Sequence, residues 1–300
     1  MGGLFIVFTL LSRETSRLHL LLAGTFFALA IGTRFLLLIP ISVVTAMVGC
    51  WILRSYDNPF QKGLSLLSFA SPLLFCAASL GWYNWARFGS ITEFGLYYQM
   101  AGFYIQEVHQ DLFKPIYIMQ NVYNYLLNPF RFEAQFPFFI VENGSNEAVF
   151  HTYPLPELYT SQQITGLLYT APFIVFSIIP MLTLFSTRLE KFSSLAHTNM
   201  EDGHFYSRIS ITLSAVFLSA FGFLMTFFWA AMRYMEDFVP SLMILSVIGF
   251  WQGYQILANR PALRKSFIFV GLALAIVSIV VSNLVAISIN DLRFLFAGKL

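Results

Sequence analysis

Five stretches of this chain contain no Asp, Glu, Lys or Arg: Leu64 to Tyr83, Leu167 to Phe185, Ile209 to Met232, Phe238 to Ala258 and Ser266 to Asn290. Each is near or above the roughly 18 residues that make a membrane-spanning helix the default reading. Composition agrees, with 57% hydrophobic and 11% charged residues in 300, against roughly 45–50% and about 25% in soluble domains. The predicted fold class is all-α: a polytopic transmembrane helical bundle of about 7 to 8 hydrophobic segments.

Other function classes fall away. A formal charge of +2, with the basic residues scattered between apolar runs, gives nucleic acid no basic stripe to bind. Cys50 and Cys76 lie in separate apolar segments without a Cys-x-x-Cys, which predicts buried free thiols. Met1 to Ile6 has no basic residue ahead of its apolar run, so it is a poor signal peptide, and Gly2 to Leu11 is too short to span.

Leu20 to Thr33 and Phe35 to Leu53 are separated only by Arg34. The arm before Arg34 covers about 21 Å, less than the roughly 30 Å hydrocarbon core, while the whole stretch is too long for one span. A tight hairpin at Arg34 follows, with the guanidinium facing a polar cavity or an anion rather than lipid. Counting that hairpin, Arg13, Arg17, Arg54, Lys62, Arg188, Lys191, Arg208, Arg260, Arg264 and Lys265 fall on one side in short connections. The positive-inside rule makes that side cytoplasmic. In a bacterium the membrane would be the plasma membrane.

Residues 84–165 then form the external region, with Arg87, Lys114 and Arg131 as the basic residues in it. Its many Phe and Tyr residues suit the headgroup level, which predicts short interfacial helices in one aromatic-rich external loop region. The chain therefore divides into N-terminal transmembrane helices (1–83), the external amphipathic loop region (84–165) and C-terminal transmembrane helices (166–300). Asn143-Gly144-Ser145 has the form of a glycosylation acceptor, relevant only in a eukaryotic secretory setting.

Candidate chemistry concentrates on scarce external charges. Arg233 precedes Glu236 and Asp237 by three and four positions, and Pro240 suits the first turn of a following helix. The set reads either as an ion pair closing a short turn or as a phosphate site, where a guanidinium joins the main-chain N–H groups of a helix start. Arg87 is either an interfacial anchor or a partner of Arg34 and Arg233 at an external cavity; three Arg forks suit a diphosphate or lipid phosphate. Glu107, His109 and Asp111 are candidates for a divalent metal only if extended, whereas a helix puts Glu107 and Asp111 alone on one face. Helix is expected there, so the predicted cofactor is none.

Several segments are similar to a known family. Leu21-Leu22-Ala23-Gly24-Thr25 through Ile31-Gly32-Thr33-Arg34 resembles the "LLAGLALGLAxGTR" hairpin of GT-C-type multispanning glycosyltransferases, the group with the bacterial family 39 enzymes and protein mannosyltransferases. Tyr83-Asn84-Trp85-Ala86-Arg87-Phe88-Gly89-Ser90 with Glu93-Phe94-Gly95 and Tyr98-Gln99, then Asn128-Pro129-Phe130-Arg131 with Phe136-Pro137-Phe138-Phe139, and Arg233-Tyr234 to Asp237-Phe238-Val239-Pro240 resemble later segments. The likeness runs in order over roughly Leu20 to Ile256.

The resemblance implies sugar transfer from a polyprenyl-phosphate donor to an acceptor on the external face, with Arg34, Arg87 and Arg233 lining the lipid-phosphate cavity. Such enzymes carry their catalytic carboxylate in a first external loop that lies before the segment matching Leu20. The expectation is therefore a C-terminal portion, incomplete or inactive as this chain alone, whose partners are membrane lipid, the sugar donor and a chain supplying the N-terminal part. Glu93, Glu236 and Asp237 are the external carboxylates nearest in sequence to the three Arg, hence the candidates for a base. The alternative from another class is a transporter or lipid-handling protein for an anionic substrate.

Overall fold

The computed structural model describes residues 2–4, 6–7, 16–55, 58–95, 98, 108–134, 136–144, 156–185 and 200–295. It is mostly helical and divides into two compact units, Met1–Gln110 and Asp111–Leu300. Among the described residues, three helices are long and apolar enough to cross a membrane: Pro59–Phe88, Tyr206–Met225 and Pro261–Ile289.

In the first unit, α1 (Arg17–Thr33) stops where the Arg34 main chain turns extended, with φ −145° and ψ 111°. A single 3-10 turn, Phe35–Leu37, leads into α2 (Leu38–Ser55). α3 (Pro59–Phe88) has both ends written in its sequence. Asn58 caps it by accepting from the Phe60 N–H at 2.9 Å, Pro59 occupies the first turn, and Gly89 closes it in the left-handed conformation at φ 72°.

α1 packs along α3 rather than along its sequence neighbour α2. A Cβ at Gly24 would come within 2.2 Å of the Phe69 carbonyl oxygen, Phe27 meets Phe69 edge to face at 6.1 Å, and the Cys76 thiol donates to the Ala28 carbonyl at 3.3 Å. Because Gly24 faces Phe69 and Ala28 faces Cys76, the two helices run parallel and α2 returns between their ends. Both cysteines are free thiols, but neither is fully buried as the sequence predicts. Cys76 is half-buried against α1, and Cys50 is exposed on α2.

The second unit begins with α4 (Ile118–Val122), which continues as a π-helical turn through Leu127. An antiparallel hairpin of β1 (Arg131–Phe132) and β2 (Phe139–Ile140) follows, then β3 (Thr160–Ser161). The apolar run from Leu167 is not one helix. It comprises α5 (Leu167–Thr170), a 3-10 segment Pro172–Ser177 and α6 (Ile178–Phe185). Pro172 has no N–H and disfavours the helical region for Ala171, which sits at φ −138°, ψ 63°. After α7 (Met200–Met225) come β4 (Trp229–Ala230), α8 (Val239–Ile256) and α9 (Pro261–Leu295).

Serines from α8 and α9 satisfy the main chain freed at the break. Ser282 Oγ donates to the Thr170 carbonyl at 2.9 Å, Ser278 Oγ accepts the Phe173 N–H at 3.1 Å, and Ser246 Oγ lies 3.4 Å from the Ile174 carbonyl. An interrupted helix is tolerated in an apolar setting when neighbouring helices supply these partners. The close approach of α8 rests on Gly249, where a Cβ would stand 1.9 Å from the Phe176 carbonyl oxygen.

The run to Met232, predicted as one span, ends as helix at Met225. The next residues are drawn into main-chain bonds on both sides: Lys114 N–H to Thr226, Phe228 N–H to Leu112, Thr160 N–H to Phe228 and Gln162 N–H to Ala230. β3 and β4 pair in parallel, and Asn143 bridges to Gln163 beyond them. Residues from Asp111 onward thus belong to one body with the C-terminal helices, and part of the predicted loop of short helices is strand.

Candidate functional site

Parallel packing puts Arg34 and Arg87 at the same end of the first unit. Arg34 lies six residues beyond Ala28 and Arg87 eleven beyond Cys76, so their main-chain positions differ by about 7 to 8 Å along the helix axes. Arg34 is half-buried where α1 stops. Arg87 is exposed in the last turn of α3. Its Nη1 donates to Tyr83 Oη at 2.9 Å, and its guanidinium lies 5.0 Å from the centre of the Phe88 ring. Among the described residues it makes no ion pair with a carboxylate.

The chain then folds back on this helix end. Asn84, buried within α3, donates to the Ile91 carbonyl at 3.4 Å, and Tyr98 stacks on Phe88 at 5.1 Å. Glu93 lies within this returning segment, half-buried.

Arg233, Glu236 and Asp237 belong to a 3-10 segment, Met232–Asp237, rather than to an α-helix. At three residues per turn, Arg233 and Glu236 fall at the i, i+3 spacing that places them on one face. The Arg233 side chain is exposed, donates to Tyr234 Oη at 3.2 Å and lies 5.1 Å from the Tyr234 ring centre. Phe238 precedes α8 and Pro240 falls in its first turn, as the sequence predicts.

A buried polar cluster fixes the approach to Arg233, and sequence reasoning passed it over. The Asn121 amide donates to the Met225 and Phe227 carbonyls at 2.8 and 2.7 Å, and accepts from Tyr159 Oη at 2.7 Å. Asn124 donates to the same Tyr159 oxygen at 3.0 Å, and Asn128 to the Ile164 carbonyl at 2.7 Å. Tyr125 Oη accepts the Ala231 N–H at 3.1 Å, two residues before Arg233. Burial pushes the Tyr125 and Tyr159 phenols well above the ordinary tyrosine value, only partly opposed by the hydrogen bonds from Ala231 and Asn124. The signal that could have found this cluster is the spacing of Asn121, Asn124 and Asn128 by three and four, which stacks asparagines on one face.

The remaining candidates fall only partly within the described residues. His109 and Asp111 share a 3-10 turn, and Glu107 lies outside the described residues. Asp111 pairs with Lys114. Among the described residues, no group of three His, Cys, Asp or Glu could hold a metal ion. Asn143 is exposed, while Ser145 of the same acceptor pattern is outside the described residues. Comparison of the chain with protein-family models, with curated proteins and with solved structures finds no match.

Proposed function

We propose that this chain is an integral membrane protein of the GT-C glycosyltransferase type, taking a sugar from a polyprenyl-phosphate donor on the external membrane face. Seven segments would cross the membrane in this reading, α1, α2, α3, the interrupted segment 167–185, α7, α8 and α9, with the run Gly2–Leu11, too short to span, as a partial eighth. The short basic loops face the cytoplasm, and 84–165 lies outside.

One observation carries the reading. Arg34 and Arg87 occupy the same end of a parallel helix pair, and the Arg87 guanidinium is held by a tyrosine hydroxyl and an aromatic ring instead of a carboxylate. Its charge is thus free to meet an anion at the headgroup level. The resemblance adds Arg233, in the second unit, as a further phosphate-binding residue. A guanidinium there stabilises negative charge on the departing phosphate, an effect that strengthens where water is excluded. Glu93, Glu236 and Asp237 are the carboxylates this chain offers as a base, and a partner chain is the other source.

The test supplies radiolabelled polyprenyl-phosphate sugar to membranes containing the folded chain, alone and with the product of an adjacent gene. Transfer in either case supports the proposal, and none in both overturns it. The break at Ala171–Pro172 favours a second reading, an anion transporter, because transporters build substrate sites on discontinuous helices. Ser246, Ser278 and Ser282 already occupy the freed groups, which weighs against it. Donor uptake into proteoliposomes without sugar transfer would favour the transporter.

A further inference from the structure

The β1–β2 hairpin presents an aromatic surface that the phosphate site does not use. Arg131 faces Ile140 and Phe132 faces Phe139 across the ladder, and the Glu133 N–H bonds the Phe138 carbonyl at 2.9 Å. Phe138 turns the chain at φ 71°, in the left-handed region. Phe130 and Phe139 meet at 4.5 Å between ring centres and face inward, packing on Val141, Val281 and Val285. Phe132, at the outer edge of that pair and 5.1 and 5.2 Å from the Phe130 and Phe139 ring centres, is 74% exposed, and Phe136 and Phe138 at the turn are 61% and 47% exposed. An ion pair, Arg131 with Glu142 at 2.9 Å, sits at the base of the hairpin rather than at this tip.

α9 fixes the level of the hairpin. The candidate span Pro261–Ile289 has its midpoint at Ala275. Val281 and Val285, which cluster with Val141 beneath Phe130 and Phe139, lie about 9 and 15 Å beyond that midpoint at 1.5 Å per residue. The hydrocarbon half-thickness is about 15 Å. With Ala275 placed at the bilayer centre, the hairpin docks at the boundary between acyl chains and headgroups, where aromatic side chains partition best.

We infer that Phe132, Phe136 and Phe138 form a lipid-inserted wedge, with the surrounding bilayer as the partner of the hairpin tip. Three adjacent exposed Phe side chains at this depth would leave a large apolar patch in water, which soluble surfaces avoid. The lipid-facing surface of α9 continues toward the same boundary, with Ile276, Ile279 and Val280 exposed below it. The inference stands apart from the glycosyltransferase reading and needs only that α9 spans.

Spin labels test it. Cysteines are placed singly by Phe132→Cys, Phe136→Cys and Phe138→Cys in the full chain carrying Cys50→Ser and Cys76→Ser, then labelled and reconstituted in phosphatidylethanolamine and phosphatidylglycerol vesicles. Ile276→Cys provides the hydrocarbon reference. Collision with oxygen should exceed collision with a water-soluble nickel chelate at all three hairpin positions, approaching the Ile276 ratio. Labels that meet the nickel chelate preferentially, with the Ile276 label immersed, overturn the wedge. A water-exposed Ile276 label would remove the span and the wedge with it. Because the three positions are exposed and tested separately, one poorly folding variant leaves the others decisive.

Discussion

The side-chain amide of Asn121 donates to the carbonyls of Met225 and Phe227, tying a short helix near the start of the second unit to the point where α7 ends. Its own carbonyl takes the Tyr159 hydroxyl, so all of its strong hydrogen-bonding capacity is directed within the fold. The next residues lead through Ala231, held by Tyr125, to Arg233.

Asn121→Ala should therefore destabilise by about 2 to 4 kcal/mol, because buried acceptors and the Tyr159 hydroxyl lose their partner together. Asn121→Asp should cost at least as much, since a carboxylate cannot donate to the two carbonyls. Thermal melts in detergent check both. An unchanged Tm in either variant would contradict the clamp.

A second contrast uses two helical glycines. Gly249→Ala should fail to fold or lose several kcal/mol, because the added Cβ would meet the Phe176 carbonyl oxygen at 1.9 Å. Gly222→Ala meets nothing within 4 Å on α7 and should raise stability by up to about 1 kcal/mol through helix propensity. Equal Tm values for the two would show that α8 does not pack this closely.

The interrupted segment gives a third prediction. Ser278→Ala leaves the Phe173 N–H without its acceptor, and Ser282→Ala leaves the Thr170 carbonyl without its donor. Each should cost about 1 to 3 kcal/mol. Ser266→Ala, on the exposed second turn of α9, should cost under about 0.5 kcal/mol. Denaturant titration of the three variants separates these outcomes.

Alkaline pH probes the buried phenols. Burial raises the Tyr125 and Tyr159 values above the ordinary one of about 10, so the folded chain holds these protons more tightly than the unfolded chain does. Their contribution is complete below about pH 10 and is lost as pH rises further. Tm should stay level from neutral pH to about 9.5 and then fall. The fall should be shallower in Tyr125→Phe and Tyr159→Phe, even though each starts from a lower Tm at neutral pH. An equally steep fall in both would mean that other groups control it.

The membrane character was legible because its signal, the charge-free runs, is local; the caps of α3 at Asn58, Pro59 and Gly89 are local too, but lie outside the run Leu64–Tyr83, so charge alone set the ends of the helix too short. The break before Pro172 had a local signal too, the proline itself, but a hydropathy window averages it away. Residues 226–231 had none. They are as apolar as the helix before them, and main-chain bonds to 112–114 and 160–162 decide their conformation. Asn121, Asn124 and Asn128 were hidden for another reason. Asparagine ordinarily marks turns and caps, so a polar residue in an aromatic segment reads as surface until its partners are known. For the candidate site, the sequence led to the three arginines; the parallel pairing that brings Arg34 and Arg87 to one end depends on Gly24 and Cys76, whose contacts are tertiary.

The most direct measurement is equilibrium binding of a polyprenyl-phosphate-linked sugar to the purified chain in lipid nanodiscs, before and after Arg87→Ala. The account predicts saturable binding that weakens at least about tenfold, roughly 1.4 kcal/mol, with Arg87→Lys in between because ammonium keeps the charge but loses the planar fork. Identical affinities for the unaltered protein and Arg87→Ala would reduce Arg87 to an interfacial anchor and contradict the proposed phosphate site.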